Sequence, residues 1–529
     1  MTEQQLARSL VQSGLLTPQQ VQQAAQQRGA GRGFAQIIMD MGWVSQMDIL
    51  QVDPTAFGTT GPAAESYQFQ DPAAAPAANG AATHGAAVAA VTGPASMVDV
   101  GLGQDAAPSV DDSPVIIGGE EARSDDPIAG TIVTYCNELL KFAVMQRASD
   151  MHLEPREDGL LPRYRVDGHL RAYPVIPKEL QASIISRYKV LANLDITENR
   201  LPQDGRFRAT IGHRIIDFRV STLPSLYGEK VVMRLLDRTS LVTDLTKLGF
   251  SEETRLLFED MVKRSYGMIL VTGPTGSGKS TTLYAALAAT LDDAKNVVTV
   301  EDPVEYELRG VTQTAVNTEI GLTFATQLRA ILRQDPDVIL VGEIRDAETV
   351  EMAVRAALTG HLVLSTLHTN TAVAAMTRLQ DMGVPPFLIS SSVSGVLAQR
   401  LVRLICRHCR QPVPQDSPQY EVDIARLKLP PGTPLYHGAG CTECNGTGSR
   451  GRMALLELLN VDVNIRRAIN DKADAATLQR IAIQNGMRTL WQDGLDKLQR
   501  GLTTADEIAR VLLGAEDEEM EITPLEIPQ

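Results

Sequence analysis

A chain of 529 residues, 43% hydrophobic and 21% charged, is too long for one core and too apolar to be fibrous or wholly disordered; it predicts roughly three or four units. No apolar run approaches the roughly 18 to 20 residues that span a bilayer, and the opening residues lack a signal peptide's basic start and apolar middle, so a cytoplasmic protein is expected. The net charge of −15 argues against binding nucleic acid by bulk charge, and it sits in two segments: eleven acidic residues against one Arg from Val52 to Pro127, and six with no base from Ala515 to Gln529.

Residues 1–51 carry a weak repeat at an offset of 28 residues, which aligns Leu10, Gly14, Leu16, Thr17 and Val21 with Ile38, Gly42, Val44, Ser45 and Ile49. Each copy reads as helix, glycine stop, apolar residue, Thr or Ser cap, helix. A helical module of about 50 residues is near the lower limit for a free core, which suggests a docking or regulatory role with a partner. Residues 52–126 read as a disordered linker, rich in Ala, Pro and Gly and acidic overall. At roughly 5 to 6 Å times the square root of its length, it would let the module work on the order of 45 to 50 Å from the body.

Residues 127–240 pass from helical apolar spacing over Ile128–Met145 to short alternating runs such as Arg163–Gly168 and Ile215–Val220, the pattern of a small α+β domain. Between residues 241 and 400, apolar strand candidates at Met268–Thr272, Val297–Val300, Val338–Val341 and Leu362–Leu364 alternate with long helical patterns. Continuous apolar strands between helices predict a parallel sheet covered on both faces, an α/β fold. A cysteine-bearing element over 401–455, a helical region over 456–514 and an acidic tail over 515–529 complete the order.

The first strand candidate runs into Gly273-Pro274-Thr275-Gly276-Ser277-Gly278-Lys279-Ser280, and Thr281 continues a helical pattern. This is a P-loop in its strand–loop–helix context. Its glycines let backbone N–H groups approach phosphates at a helix N-terminus that favours anions, Lys279 reaches the β- and γ-phosphates, and Ser280 ligates Mg²⁺. A chance Gly-rich turn is the bland alternative, but the full pattern in its expected setting favours ATP.

Two acidic clusters follow strands: Glu301, Asp302 and Glu305 after Val297–Val300, and Glu343 after Val338–Val341. Carboxylates at the C-terminal edge of an open α/β sheet lie where ligands bind. Glu343, in Gly342-Glu343, is the candidate for polarising the attacking water or ordering Mg²⁺, with Glu301 second; solvated helix caps are the alternative for both. His368, beyond Leu362–Leu364 among Ser, Thr and Asn, sits where a γ-phosphate could be sensed, whereas His361 precedes the strand and reads as structural.

Four of the five cysteines form Cys406-Arg-His-Cys409 and Cys441-Thr-Glu-Cys444. In a reducing compartment two CxxC pairs at this spacing suit a tetrahedral structural Zn²⁺ rather than disulfides. His408 or His437 could replace one sulfur, though four thiolates need no help, and Cys136 reads as a packing residue.

Taken together these motifs resemble the secretion ATPases that power type II secretion, type IV pilus assembly and DNA-uptake pili. The P-loop is followed by segments similar to the family's aspartate box, Thr299–Glu305, its atypical Walker B, Leu332–Asp346, and its histidine box, Gly360–Asn370. Upstream, Ala148–Pro155 and Gln203–Arg206 are similar to its PAS-like second N-terminal domain. The resemblance implies a RecA-like ATPase core in a homohexamer that works on an inner-membrane platform protein.

It also implies an active site shared between subunits, with arginines of a neighbour's second domain completing the phosphate site. By match to the family pattern these are Arg219 and Arg234, with Arg206, Arg329 and Arg333 weaker and surface ion pairing the alternative. The resemblance further implies that assembly and secretion members carry the tetracysteine element, whereas retraction members lack it. The stretch Leu6–Thr17 looks like the first N-terminal domain of pilus assembly ATPases; related modules bind cyclic di-GMP through Arg-Leu-Gly, but this chain has Arg8 without it and Arg32-Gly-Phe34, which favours docking to a membrane-associated partner.

The resulting expectation is a cytoplasmic motor for type IV pilus assembly, peripheral at the inner membrane through its partners. Its N-terminal match and Gly486–Gly494 place that reading ahead of type II secretion. A nucleic-acid translocase, a DNA-uptake pilus motor and a non-enzymatic adaptor are the rivals, and no specific nucleic acid is expected as a partner.

Overall fold

The computed structural model describes residues 115–117, 127–237 and 242–513, with the single positions Val21, Ala24 and Ile38. These three are helical, and Ala24 and Ile38 are buried. Apart from Val21 and Ile38, the repeat of the N-terminal module lies outside the described residues, as do most of the linker and the acidic tail. No described helix is long and apolar enough to cross a membrane.

The first body is built from β1 (Val115–Ile117), α1 (Pro127–Met145), β2 (Asp150–Pro155), β3 (Leu160–Val166), β4 (His169–Ala172), α2 (Lys178–Leu191), β5 (Gln203–Ile211), β6 (Arg214–Ser225) and β7 (Gly228–Asp237). Its seven strands run in the order β1-β5-β6-β7-β2-β3-β4, antiparallel throughout except where β1 joins β5. Strand alternation explains how one face is covered and the other left for contacts. In β6, Ile216, Phe218 and Val220 are buried in a core shared with Leu139 and Leu140 of α1 and Ile184 and Tyr188 of α2. Between them Asp217 and Arg219 point to the opposite face and stay partly exposed.

The second body begins with α3 (Glu252–Val262), capped by the Ser251 hydroxyl, which accepts from the Thr254 amide. It continues through β8 (Gly267–Thr272), α4 (Lys279–Thr290), β9 (Val297–Glu301), β10 (Thr312–Ala315), α5 (Phe324–Ile331), β11 (Val338–Val341), α6 (Ala347–Leu358), β12 (Leu362–Leu367), α7 (Ala372–Asp381), α8 (Pro386–Ser392) and β13 (Val393–Ile405). After the cysteine segment comes β16 (Ser449–Asn460), and the order is β10-β9-β11-β12-β8-β13-β16, parallel except between β13 and β16.

Adjacent residues of one strand feed two different cores, which is why these strands are apolar without interruption. Met268 and Leu270 pack with Leu328 of α5, Val350 of α6 and Met376 of α7. Ile269 and Val271 pack on the other face with Phe258 of α3 and Leu283 and Leu287 of α4. The four strands predicted from sequence are β8, β9, β11 and β12, and all their C-terminal ends meet at one edge.

The boundaries drawn at 400/401 and 455/456 fall inside β13 and β16, so the cysteine segment is an excursion between neighbouring strands of this sheet. It holds β14 (Arg410–Pro412), α9 (Pro418–Arg426) and β15 (Tyr436–Gly438), with β14 and β15 forming a small antiparallel ribbon. The two bodies touch at its C-terminal end and at the start of β16: the Asn445 amide donates to Gln146 Oε1 at 2.6 Å, and the Gly451 N–H of β16 donates to Asp167 Oδ2 at 2.9 Å. Beyond β16, helices α10 (Val463–Asn470), α11 (Ala475–Gln484), α12 (Leu490–Gln499) and α13 (Ala505–Ile508) add Ile465, Leu478, Leu498 and Ile508 to the first of the two cores.

Candidate active site at the edge of the parallel sheet

The P-loop leaves β8 at Gly273 and enters α4 at Lys279. Gly278 has φ 89°, in the left-handed region, and a Cβ there would stand 2.8 Å from Gln399 Nε2. At Gly273 a Cβ would stand 2.4 Å from the Gln399 carbonyl oxygen, so the loop fits its bed only with glycine at both places. The Lys279 ammonium donates to the carbonyls of Gly273 (2.8 Å) and Pro274 (3.1 Å). Burial pushes its pKa down, while the Glu343 carboxylate opposes that shift and the Arg400 guanidinium adds to it. Ser280 is exposed in the first turn of α4, and Thr281 follows it.

Glu343 follows β11, and its carboxylate meets two groups. Its Oε1 pairs with the Arg345 guanidinium, and its Oε2 lies 3.4 Å from His368 Nε2. Arg345 also faces Asp302 at 3.9 Å, so it links the carboxylates that follow β9 and β11, and its pKa is raised chiefly by the hydrogen bond to Glu343. The site thus brings Lys279, Glu343 and His368 to one edge.

Glu301 is placed differently. Its Oε1 accepts from Thr299 Oγ1 (2.6 Å) and Gln313 Nε2 (3.0 Å), and its Oε2 accepts from the Tyr284 hydroxyl of α4. Its carboxylate is therefore engaged within the sheet interior, and Asp302 is the neighbour that faces Arg345. His361 lies at the opposite end of β12, where its Nδ1 is 2.9 Å from the Ala356 carbonyl, as expected of a structural histidine.

The arginines of the first body stand in a cross-strand row. Arg206 of β5 pairs with Arg219 of β6, Arg219 with Arg234 of β7, Arg234 with Asp150 of β2, and Asp150 with Arg165 of β3. Directly opposed residues share a face of the sheet, so the row is one strip of charge. Within the chain, Arg219 Nη2 reaches across to the second body, donating to the Val304 carbonyl at 3.0 Å and pairing with Glu305 at 3.0 Å. Arg234 Nε donates to Asp150 Oδ1 at 3.0 Å and remains largely exposed. Arg329 pairs with Glu348 at 2.7 Å, and Arg333 donates to the Arg329 carbonyl.

The four cysteines converge, with every pair of sulfurs within 4.8 Å. Cys406 and Cys441 are 3.8 Å apart, as are Cys409 and Cys444, and Cys441 and Cys444 are 3.7 Å apart. A tetrahedral Zn–S length of about 2.3 Å requires sulfurs about 3.8 Å from one another, so the donor set fits that ion. The amides of Cys441 and Gly448 both donate to Cys444 Sγ at 3.2 Å. Against the cost of burial, these bonds hold the Cys444 thiol down to about 6. Neither His408 nor His437 belongs to the cluster. Cys136 is fully buried on α1, and burial pushes its thiol up to about 12, consistent with a packing residue.

Arg345, Tyr284, Asp150 and Gln399 were not singled out from sequence. Arg345 stood two residues beyond Glu343 in the Walker B segment, where an acidic site predicts a nearby cation. The others depend on contacts between segments far apart in the chain.

Residues 124–510 match the family described as Type II/IV secretion system protein. Type II secretion system protein E of Pectobacterium carotovorum subsp. carotovorum is 51% identical over 415 residues, 78% of this chain and 82% of that protein. The type IV pilus assembly ATPase PilB of Thermus thermophilus is 48% identical over 377 residues, 71% of this chain but 42% of that protein. Among solved structures, the pilus retraction motor PilT with bound ADP is similar with a TM-score of 0.50 at 29% identity, covering 72% of this chain and 97% of that one. The chain belongs to the type II/IV secretion system protein family and is an ATPase of that family.

Proposed function

We propose that this ATPase hydrolyses ATP at the edge where Lys279, Glu343 and His368 meet, and that it drives a type II secretion apparatus. This reverses the preference for pilus assembly drawn from sequence. Relatives at about half identity that this chain covers for most of their length are named for type II secretion, whereas the pilus assembly relative is covered for less than half.

The observation that carries the reading is the convergence of the P-loop lysine with a carboxylate held between His368 and Arg345. Lys279 and the amides of Gly276 and Gly278 bind the phosphates, and Ser280, with Thr281 beside it, would hold Mg²⁺, whose charge offsets that of the phosphates. Glu343 accepts a proton from the attacking water, and His368 orients that carboxylate while meeting the γ-phosphate side of the site. Glu301 holds β9, β10 and α4 together beneath this edge. The second body is the RecA-like core of a homohexamer and the first its PAS-like companion, from which Arg219 and Arg234 reach a phosphate site. The four cysteines hold Zn²⁺, and the motor acts at the cytoplasmic face on a membrane platform protein.

Deleting the gene in its host and restoring it with either wild type or Glu343→Gln tests the assignment. Loss of protein secretion with pili intact supports it; loss of pili with secretion intact returns the pilus assembly reading.

A further inference from the structure

Gln399 lies on β13, directly after Ala398, which pairs with Thr272, the last residue of β8 before the P-loop. The residue is 2% exposed, and its side chain spans two points on either side of the phosphate-binding residues. Its Nε2 donates to the Ser277 carbonyl at 2.8 Å, and its Oε1 accepts from Thr282 Oγ1 at 2.7 Å. Lys279, Ser280 and Thr281 lie between those anchors. We propose that Gln399 is a positioning residue for nucleotide binding: its carboxamide aims the Gly278 amide into the phosphate cradle.

The argument follows from the planarity of the peptide unit. In a trans peptide the carbonyl and the next N–H point in opposite directions, so fixing one fixes the other. By drawing the Ser277 carbonyl toward β13, Gln399 turns the Gly278 N–H away from β13. Gly278 itself has φ 89°, a conformation open to glycine, and its own carbonyl accepts from the Thr282 amide at 3.2 Å, so the Ser277–Gly278 peptide is the one that the carboxamide holds. The second bond, from Thr282, fixes the carboxamide's orientation: with Oε1 taking the Thr282 proton, Nε2 faces Ser277. Glutamine is suited to this position because it offers one donor and one acceptor at the same reach. A buried carbonyl left without this donor would seek another partner, and the loop would have to turn with it.

A P-loop amide meets the phosphates in the ground state and in the transition state alike, so the loss should appear in KM and not in kcat. This rests on the P-loop reading, and the experiment separates the two. Steady-state ATP hydrolysis and binding of a fluorescent ADP analogue would be measured for the full chain, for Gln399→Met, for the milder Thr282→Val and for Lys279→Ala. Gln399→Met should raise KM and the ADP dissociation constant about tenfold, the scale of a lost buried hydrogen bond, with kcat within about twofold. Thr282→Val should shift both constants in the same direction by about threefold, because it frees the carboxamide without removing it. It also keeps the test readable should Gln399→Met unfold. Unchanged KM in both variants, or a fall in kcat alone, overturns the proposal provided that Lys279→Ala abolishes binding. Normal binding by Lys279→Ala would instead overturn the P-loop reading on which it rests.

Discussion

The two bodies each contain a seven-stranded sheet, yet each gathers charge of a different sign by a different route. The parallel sheet brings the carboxylates Asp302, Glu305 and Glu343 to its C-terminal edge, because every strand there ends in the same direction. The largely antiparallel sheet brings Arg206, Arg219, Arg234 and Arg165 into one row, because register places opposed residues on one face. One sheet thus gathers charge through the direction of its strands and the other through their pairing. Arg219 paired with Glu305 links the arginine row to that acidic edge within one chain.

The strongest way to break this comparison is on the parallel side. Lys279→Ala should abolish measurable nucleotide binding, while Glu343→Gln should retain it and lower turnover by about 10²- to 10⁴-fold, the range for a lost general base. Binding by fluorescence titration and turnover by phosphate release check the split. Equal loss of binding in both variants would mean that the edge does not divide cradle from catalyst.

On the antiparallel side, Arg219→Ala and Arg234→Ala should each lower turnover far more than affinity. Charge stabilisation in phosphoryl transfer is worth about 10³- to 10⁵-fold in well-studied cases, and these partly exposed arginines are expected below that range. Mixing inactive Arg234→Ala with inactive Glu343→Gln should restore some activity if the arginine serves a neighbour's site. Absence of rescue in oligomers that exchange subunits would favour service within one chain, the direction in which Arg219 already reaches Glu305.

How far each sheet could be read in advance follows from the same difference. Unbroken apolar runs such as Met268–Thr272 declare a strand buried on both faces, and the P-loop and the paired cysteines carry their chemistry in local spacing. Glu301 and Glu343 were alike on paper, each a glutamate following an apolar strand. What distinguishes them is Tyr284, which approaches Glu301 from α4, and Gln313, which approaches from β10. The arginine row was less legible still, since it requires β2 to pair with β7 across the whole length of the body.

The cysteine segment sharpens the comparison from a third side, since Asn445 at its end and Gly451 just beyond it in β16 join the two bodies. Cys406→Ser should release zinc and lower the unfolding temperature, because thiolate ligation contributes directly to folding. The loosening should be greatest where the bodies touch near it, and hydrogen exchange at Gly451 should rise with it. Protein purified under reducing conditions and free of zinc by elemental analysis, with wild-type stability, would reject the site.

The smallest expected effect tests whether the row acts as a unit. Asp150 is 7% exposed and is the acid within it, accepting from Arg234 Nε at 3.0 Å and standing 3.5 Å from Arg165 Nε. The Ser149 hydroxyl also donates to it, so its carboxylate is fixed on more than one side. Asp150→Asn keeps the volume and removes the charge, which should leave Arg234 present but free to sample other rotamers. If the carboxylate serves to aim that guanidinium, turnover should fall by about three- to tenfold with KM little changed, the size of a weakened charge-assisted hydrogen bond. In an Arg234→Ala background the same substitution should then cost almost nothing further, because residues acting through one contact are not additive. An undiminished loss in that background would place the work of Asp150 elsewhere, with Arg165 as the remaining partner, and the row would be a set of separate ion pairs.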